Sequence, residues 1–142
     1  MAYCTTADIE SKIDKDELIR LTDDAGAGTP DTTKIQEAIT EAGAEIDSYC
    51  ARLHTVPFPD PVPAMIVKVC KDIAVYNVYS LKNAAPEDCE DRYERSVAYL
   101  KNVARGIVDL GAGSPEEVDD GGPETIKTAS DSIFTLGKME GF

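Results

Sequence analysis

The sequence predicts an all-α protein, a small helical bundle with two short N-terminal helices, three longer helices and a flexible C-terminal tail. Two observations carry that expectation. Apolar residues recur at helical spacing through long stretches, foremost Ile35, Ala38, Ile39, Ala42, Ile46, Tyr49 and Leu53. Between those stretches stand breakers of Gly, Pro and Asp, DDAGAGTPD and HTVPFPDPVP. No run shows sustained strand alternation, although IFTL near the C-terminus has the length for one short strand.

The elements follow in chain order. Thr5 with Asp8, and Asp14 with Glu17, have the spacing of a capping box, in which two residues satisfy each other's backbone amides. The first helix is expected to run to Ile13 and the second, KDELIRLTD, to Thr22, with Ile9, Ile13, Leu18, Ile19 and Leu21 as their apolar content. Asp31 or Thr33 caps the first long helix. At one residue per 100°, its apolar positions 35 to 53 fall within about 100° of arc, a single core-facing stripe. Gly43 in that helix costs about 1 kcal/mol against Ala and is expected to mark a close helix crossing.

Pro57, Pro59, Pro61 and Pro63 end the helix, because they deny backbone donors and fix an extended connection. Pro63 suits the first turn of the next helix, which is expected to reach Lys82. That helix is apolar nearly all round, from Met65 to Leu81, with Lys68, Lys71 and Asp72 crowded into one short stretch. Such a helix is central to a bundle or buried between subunits. Pro86 starts the last long helix, whose face is read as Tyr93, Val97, Leu100, Ala104 and Ile107, with Gly111 and Gly113 as its stop. Acids open it and Lys101 and Arg105 lie near its end, the arrangement that a helix dipole favours.

From Ser114 the composition changes, so the chain divides into a helical domain, 1–113, and a flexible acidic segment, 114–142, ending in an apolar docking tail. Residues 114–132 carry too little apolar surface to offset the ordering entropy of about 1–2 kcal/mol per residue. Ile133, Phe134, Leu136 and Phe142 restore hydrophobicity, and an exposed cluster of that kind marks an interaction site.

A chain of 142 residues is long enough for one domain with a sizeable core. Its net charge of −13 is uneven: residues 1–60 hold 13 acids against 5 bases, 61–113 hold 7 of each, and 114–142 hold 7 against 2. A chain this acidic is not a general nucleic-acid binder, since phosphate affinity needs clustered Lys and Arg. No eighteen-residue apolar window is present, so no membrane partner is expected. MAYCTTADIE has neither the basic start nor the apolar stretch of a secretory signal, so a cytoplasmic origin is expected.

Candidate chemistry fails set by set. Cys4, Cys50, Cys70 and Cys89 lack the close ligand pairs of a metal site, and Cys50 and Cys70 fall on apolar helix faces, where a thiol acts as a small hydrophobe. The cysteines are expected to be reduced and dispensable for assembly. His54, the single histidine, has no nominated nucleophile. Gly26-x-Gly28 and Gly111-x-Gly113 lack the strand–loop–helix setting of a phosphate cradle and read as turns. Asp23-Asp24 and Asp119-Asp120 lack the alternating ligands of a calcium loop. No enzyme, cofactor or metal is expected. One feature stands out: Lys34, Glu37, Glu41, Glu45 and Ser48 line the side of their helix opposite the core stripe, with like charges at i,i+4. A solvated acidic face is the ordinary explanation; the sharper one is that the face meets a basic neighbour or lines a channel.

The opening Tyr3-x-Thr5-x-x-Asp8, then ELIRLTDD, EIDSYCARLHTVPF, CKDIAVYNVYS, PEDCEDRYERSVAYLKNVARGIVDLG and a terminal KMEGF resemble, in that order, a family of small Mu-like prophage structural proteins. The likeness spans nearly the whole chain and is weakest over 114–130. Leu53-His54 stands where that family tends to have an Arg–aromatic pair, and the connector after it is unusually rich in proline. The resemblance implies a head–tail connector, also called an adaptor or head-completion protein. Such a subunit assembles as a homo-oligomeric ring under the portal protein, extends the channel for passing DNA without binding it specifically, and offers a platform to the next neck protein. The implied location is the host cytoplasm during assembly and then the virion neck. Alternatives are another virion protein that completes the tail, and a small acidic helical inhibitor that mimics DNA. If the tail is a docking arm, truncation after Gly113 leaves the melting temperature unchanged and stops the protein joining the neck. A fall of many degrees with assembly retained would instead make the tail part of the core.

Overall fold

The computed structural model describes residues 2–110; the tail positions Ile133, Phe134, Leu136 and Phe142, and the IFTL run, lie outside them. Among the described residues there are five helices and no strand. Helix α1 spans Thr6–Glu10 and opens with the expected capping box: the Asp8 amide donates to the Thr5 hydroxyl at 3.3 Å, and the Thr5 amide donates to the Asp8 carboxylate at 2.9 Å. It ends short of Ile13 because Asp14 is already extended (ψ 143°) as cap of α2, Lys15–Thr22. Ile13 is nonetheless buried, and its amide donates to the Ile9 carbonyl at 3.0 Å. The second capping box is half formed. Asp14 accepts from the Asp16 amide at 3.2 Å, while Glu17 pairs with Arg20.

Helix α3, Thr32–Cys50, is capped by Asp31, whose carboxylate accepts from the Thr33 and Lys34 amides at 3.0 and 3.4 Å. Its stripe is in the core as expected through Ile35, Ala38, Ile39, Ala42 and Ile46, and Gly43 is buried with them. Leu53 departs from the expectation. The helix stops three residues earlier, the Leu53 and His54 amides fold back onto the Cys50 carbonyl, and the Leu53 side chain is 49% exposed. The connector that follows is not simply extended: the Val56–Pro57 and Asp60–Pro61 bonds are cis, and Phe58 turns inward to bury its ring.

Helix α4, Ala64–Ser80, begins after Pro63, whose carbonyl accepts from the Ile66 and Val67 amides. It packs on α1, α2, α3 and on α5, Glu87–Ala104, which accounts for its nearly uniform apolar sequence. Ile66, Val69, Cys70, Ile73, Ala74, Val75 and Val78 are all buried along it. The Asn77 side-chain amide donates to the Ala38 carbonyl at 3.2 Å and ties α4 to α3.

Two expectations for α5 change. Its buried line is Cys89, Ser96, Leu100 and Val103, with Tyr93, Val97 and Ala104 half-buried beside it. Its stop is Gly106 at φ +79°, a left-handed conformation that suits glycine, rather than Gly111 and Gly113. Ile107 therefore lies past the helix and is 66% exposed. Because Ile39 and Ile73 are wholly buried, Ile39→Asp or Ile73→Asp is expected to abolish folding. An unpaired buried carboxylate costs several kcal/mol. Circular dichroism that kept its full helical signal and melting temperature would contradict that placement.

Candidate interaction surface

Charged side chains at the core's edge organise the bundle before any surface is presented. Asp72 is buried on α4, yet it accepts from the Lys68 ammonium at 2.8 Å and lies 3.9 Å from that of Lys12. Lys71 pairs with Asp8 of α1 at 3.3 Å. The charges that crowd one stretch of α4 thus hold the α1 region against it. A buried carboxylate is tolerated only with such partners.

The opposite end of the bundle has its own electrostatic clamp. Asp24, after α2, pairs with Lys34 of α3 and with Lys82 beyond α4. Lys34 and then Lys82 hold its carboxyl at about 2, below the ordinary 3.8. Beside it, the Asp23 carboxylate accepts from the Ala27 and Gly28 amides at 3.0 and 2.7 Å, in a loop where Gly26 and Gly28 take φ of +74° and +80°. The amides that a phosphate cradle would offer here are filled by the chain's own acid. Gly26-x-Gly28 is a turn.

Tyr3 fastens the N-terminal segment. Its hydroxyl donates to Asp47 of α3 and accepts from the Phe58 amide at 3.1 Å, while its ring meets Phe58 edge-on at 5.8 Å. Burial, then the Asp47 hydrogen bond, push the phenol well above its usual range. His54 also packs on Phe58, with the rings 5.8 Å apart. Next to Tyr3, the Sγ atoms of Cys4 and Cys70 lie 3.1 Å apart, both buried. Sequence reasoning missed this pair, since 66 residues separate the two and only the tertiary fold brings them together.

The acidic face of α3 divides in two. Glu37 and Glu41 are exposed and, with Thr6, Gln36 and Thr40, line an open groove between the α1 end and α3. Glu45 is not on that open face: it is half-buried against α5 and accepts from the Tyr93 hydroxyl at 3.0 Å. Tyr93 in turn stacks on Tyr76 of α4 with ring centres 4.2 Å apart, and its phenol is pushed up to about 12, by burial first and then by Glu45. The remaining surface of note is where α3 and α5 end together. The Arg52 guanidinium donates to the Ala104 carbonyl at 2.9 Å, and Leu53 and Ile107 stand exposed there. Arg52, Lys101 and Arg105, all exposed, are the cations of these two helix ends.

Among the described residues, no three His, Cys, Asp or Glu side chains gather as a metal-holding group, and no helix is long and apolar enough to cross a membrane. A family model described as "Bacteriophage Mu, Gp36" matches residues 3–128. The chain belongs to that family. The "Mu-like prophage FluMu protein gp36" of Haemophilus influenzae is 30% identical over 112 residues, 79% of this chain and 77% of that relative. "Gene product J" of Escherichia phage Mu is 27% identical over 143 residues, covering 100% of this chain and 99% of its own length. The family resemblance read from the sequence therefore holds, and the match of this Gp36-family chain to the family model runs from residue 3 past the end of the described bundle.

The pH response of the Asp24 clamp follows from its depressed pKa. The clamp stabilises the fold above the ordinary carboxylate value and loses that contribution as pH falls towards about 2. Thermal melts of wild type and Asp24→Asn should differ at neutral pH, converge towards about pH 2, and differ less in high salt, which screens exposed pairs. A gap that persists at low pH would remove the clamp from the explanation.

Proposed function

We propose that this Gp36-family chain is a non-catalytic structural subunit of the phage neck, a head–tail connector that forms a ring under the portal and lines the DNA channel. The observation that carries the reading is the separation of its outward surfaces. Glu37 and Glu41 stand exposed on the first half of α3, whereas Leu53, Ile107, Arg52, Lys101 and Arg105 lie exposed at the C-terminal ends of α3 and α5, where Arg52 reaches the Ala104 carbonyl. One copy's basic, partly apolar end meets the next copy's acidic α3 face when copies are related head to tail. Repeated contacts between two different patches close into rings when the rotation allows it.

The acidic balance suits a wall that DNA passes without sticking, since a like-charged lining offers phosphates no counterion to replace. The partners in this reading are further copies of the chain, the portal protein and the next neck protein, with the apolar positions Ile133, Phe134, Leu136 and Phe142 as the docking arm. Its place is the host cytoplasm during assembly and the virion neck afterwards.

Electron microscopy of the purified protein mixed with its portal tests the reading. A closed ring of added density under the portal is the expected result, weakened by the charge reversal Arg105→Glu and restored when Glu37→Arg or Glu41→Arg is combined with it. Portal particles unchanged by a saturating excess of folded protein would refute it.

A further inference from the structure

Cys4 and Cys70 are poised differently from the chain's other two thiols. Their sulfurs are 3.1 Å apart, whereas Cys50 and Cys89 are buried with no thiol partner among the described residues. A disulfide bond is about 2.05 Å long, so the two sulfurs need to approach by only about 1 Å. The backbone around each is already held. Tyr3, adjacent to Cys4, is fixed by Asp47 and by the Phe58 amide, and Lys71, adjacent to Cys70, is paired with Asp8. The Tyr3 and Cys4 backbone amides lie at the Cys70 sulfur, the Asp8–Lys71 pair stands beside it, and among the described residues the two thiols belong to no metal-holding group.

We infer that Cys4 and Cys70 form an oxidation site that closes into an intramolecular disulfide when the chain meets a small-molecule disulfide. Cys4 is the entry point by access alone: it is 7% exposed, while Cys70 is wholly buried in α4. Since the Cys70 contact and then burial hold the Cys4 thiol above its usual range, its attack is the slow step. The Cys4 thiol loses its proton and its sulfur attacks the reagent, releasing one thiolate and leaving a mixed disulfide. Cys70 then attacks the Cys4 sulfur, the Cys4–Cys70 bond forms, the bond to the reagent breaks, and the second thiolate leaves. The two protons end on the released thiols, and the two electrons lost by the cysteines reduce the reagent. The product pins the Tyr3 segment to α4. In a reducing cytoplasm the pair stays as thiols. The connector reading adds only the occasion, release of the particle into an oxidising medium; the chemistry does not depend on it.

The experiment uses the full reduced chain and oxidised glutathione, followed by alkylation of the remaining thiols under denaturing conditions and mass spectrometry. Two alkyl groups per chain are expected instead of four, with tryptic peptide 1–12 joined to 69–71. The oxidised protein should melt on the order of 10 °C higher than the reduced one, a shift that typical cross-links produce in a small domain. Cys4→Ala and Cys70→Ala should each prevent the internal bond, and the wild-type peptide map decides the matter even if a variant folds poorly. Four alkylated thiols, a glutathione adduct that persists on Cys4, or a bond mapped to Cys50 or Cys89 would each overturn the assignment. A ring that assembles normally without the bond leaves this result untouched, and a bond in a protein that never joins a portal refutes only the connector reading.

Discussion

α4 has almost no side to give to water, and the bundle is arranged around that constraint. Its apolar residues, the exposed Met65 apart, face α3, α5 and the two short N-terminal helices. The only acid on it, Asp72, is also buried, with Lys68 and Lys12 supplying opposite charge at its rim. Breaking such a pair from one side strands a charge in the interior and costs more than the pair contributes when intact. Position 12 in the N-terminal segment is therefore tied to the charge pattern of a helix that begins more than fifty residues later. The short helices, which on their own are below the length at which isolated helices persist in water, exist because α4 gives them an apolar surface and an ion pair.

The segment around Tyr3 is held by a small set of specific contacts. Tyr3 joins α3 to the proline-rich connector through one hydroxyl that both donates and accepts. Phe58 covers that hydroxyl's ring and touches His54 at the same time. The connector's prolines supply no amide donors, and it is attached to the body through Phe58, whose amide and ring are both used, with Val56 and Val62 packed against the core beside it.

The outward surfaces follow from where helices stop. α3 ends at Cys50 and α5 at Ala104, and each leaves an apolar residue, Leu53 and Ile107, beyond its end rather than in the core. Had both helices run on for another turn, those side chains would have continued the inner stripes. Gly106 ends α5, and the bundle is left with two exposed apolar side chains at helix ends that also carry Arg52, Lys101 and Arg105.

Local physics made much of this legible from the sequence. The all-α class, the buried stripe from Ile35 to Ile46, the central place of α4, the Thr5–Asp8 capping box and the Asp31 cap all depend on residues within a turn or two of each other. The family was also legible, since the order of its segments is itself a sequence property. Other features needed residues that the chain keeps far apart. Glu45 reads as a surface acid on its own helix, and only the approach of α5 brings Tyr93 to it. The face of α5 shifted because burial is set by the angle at which it meets α3 and α4, which periodicity alone does not determine. Asp72 reads as one solvated charge among three until the neighbouring helices pack over its side of α4. Cys4 and Cys70 carry no motif, because a sulfur–sulfur approach across 66 residues is a property of packing and not of spacing.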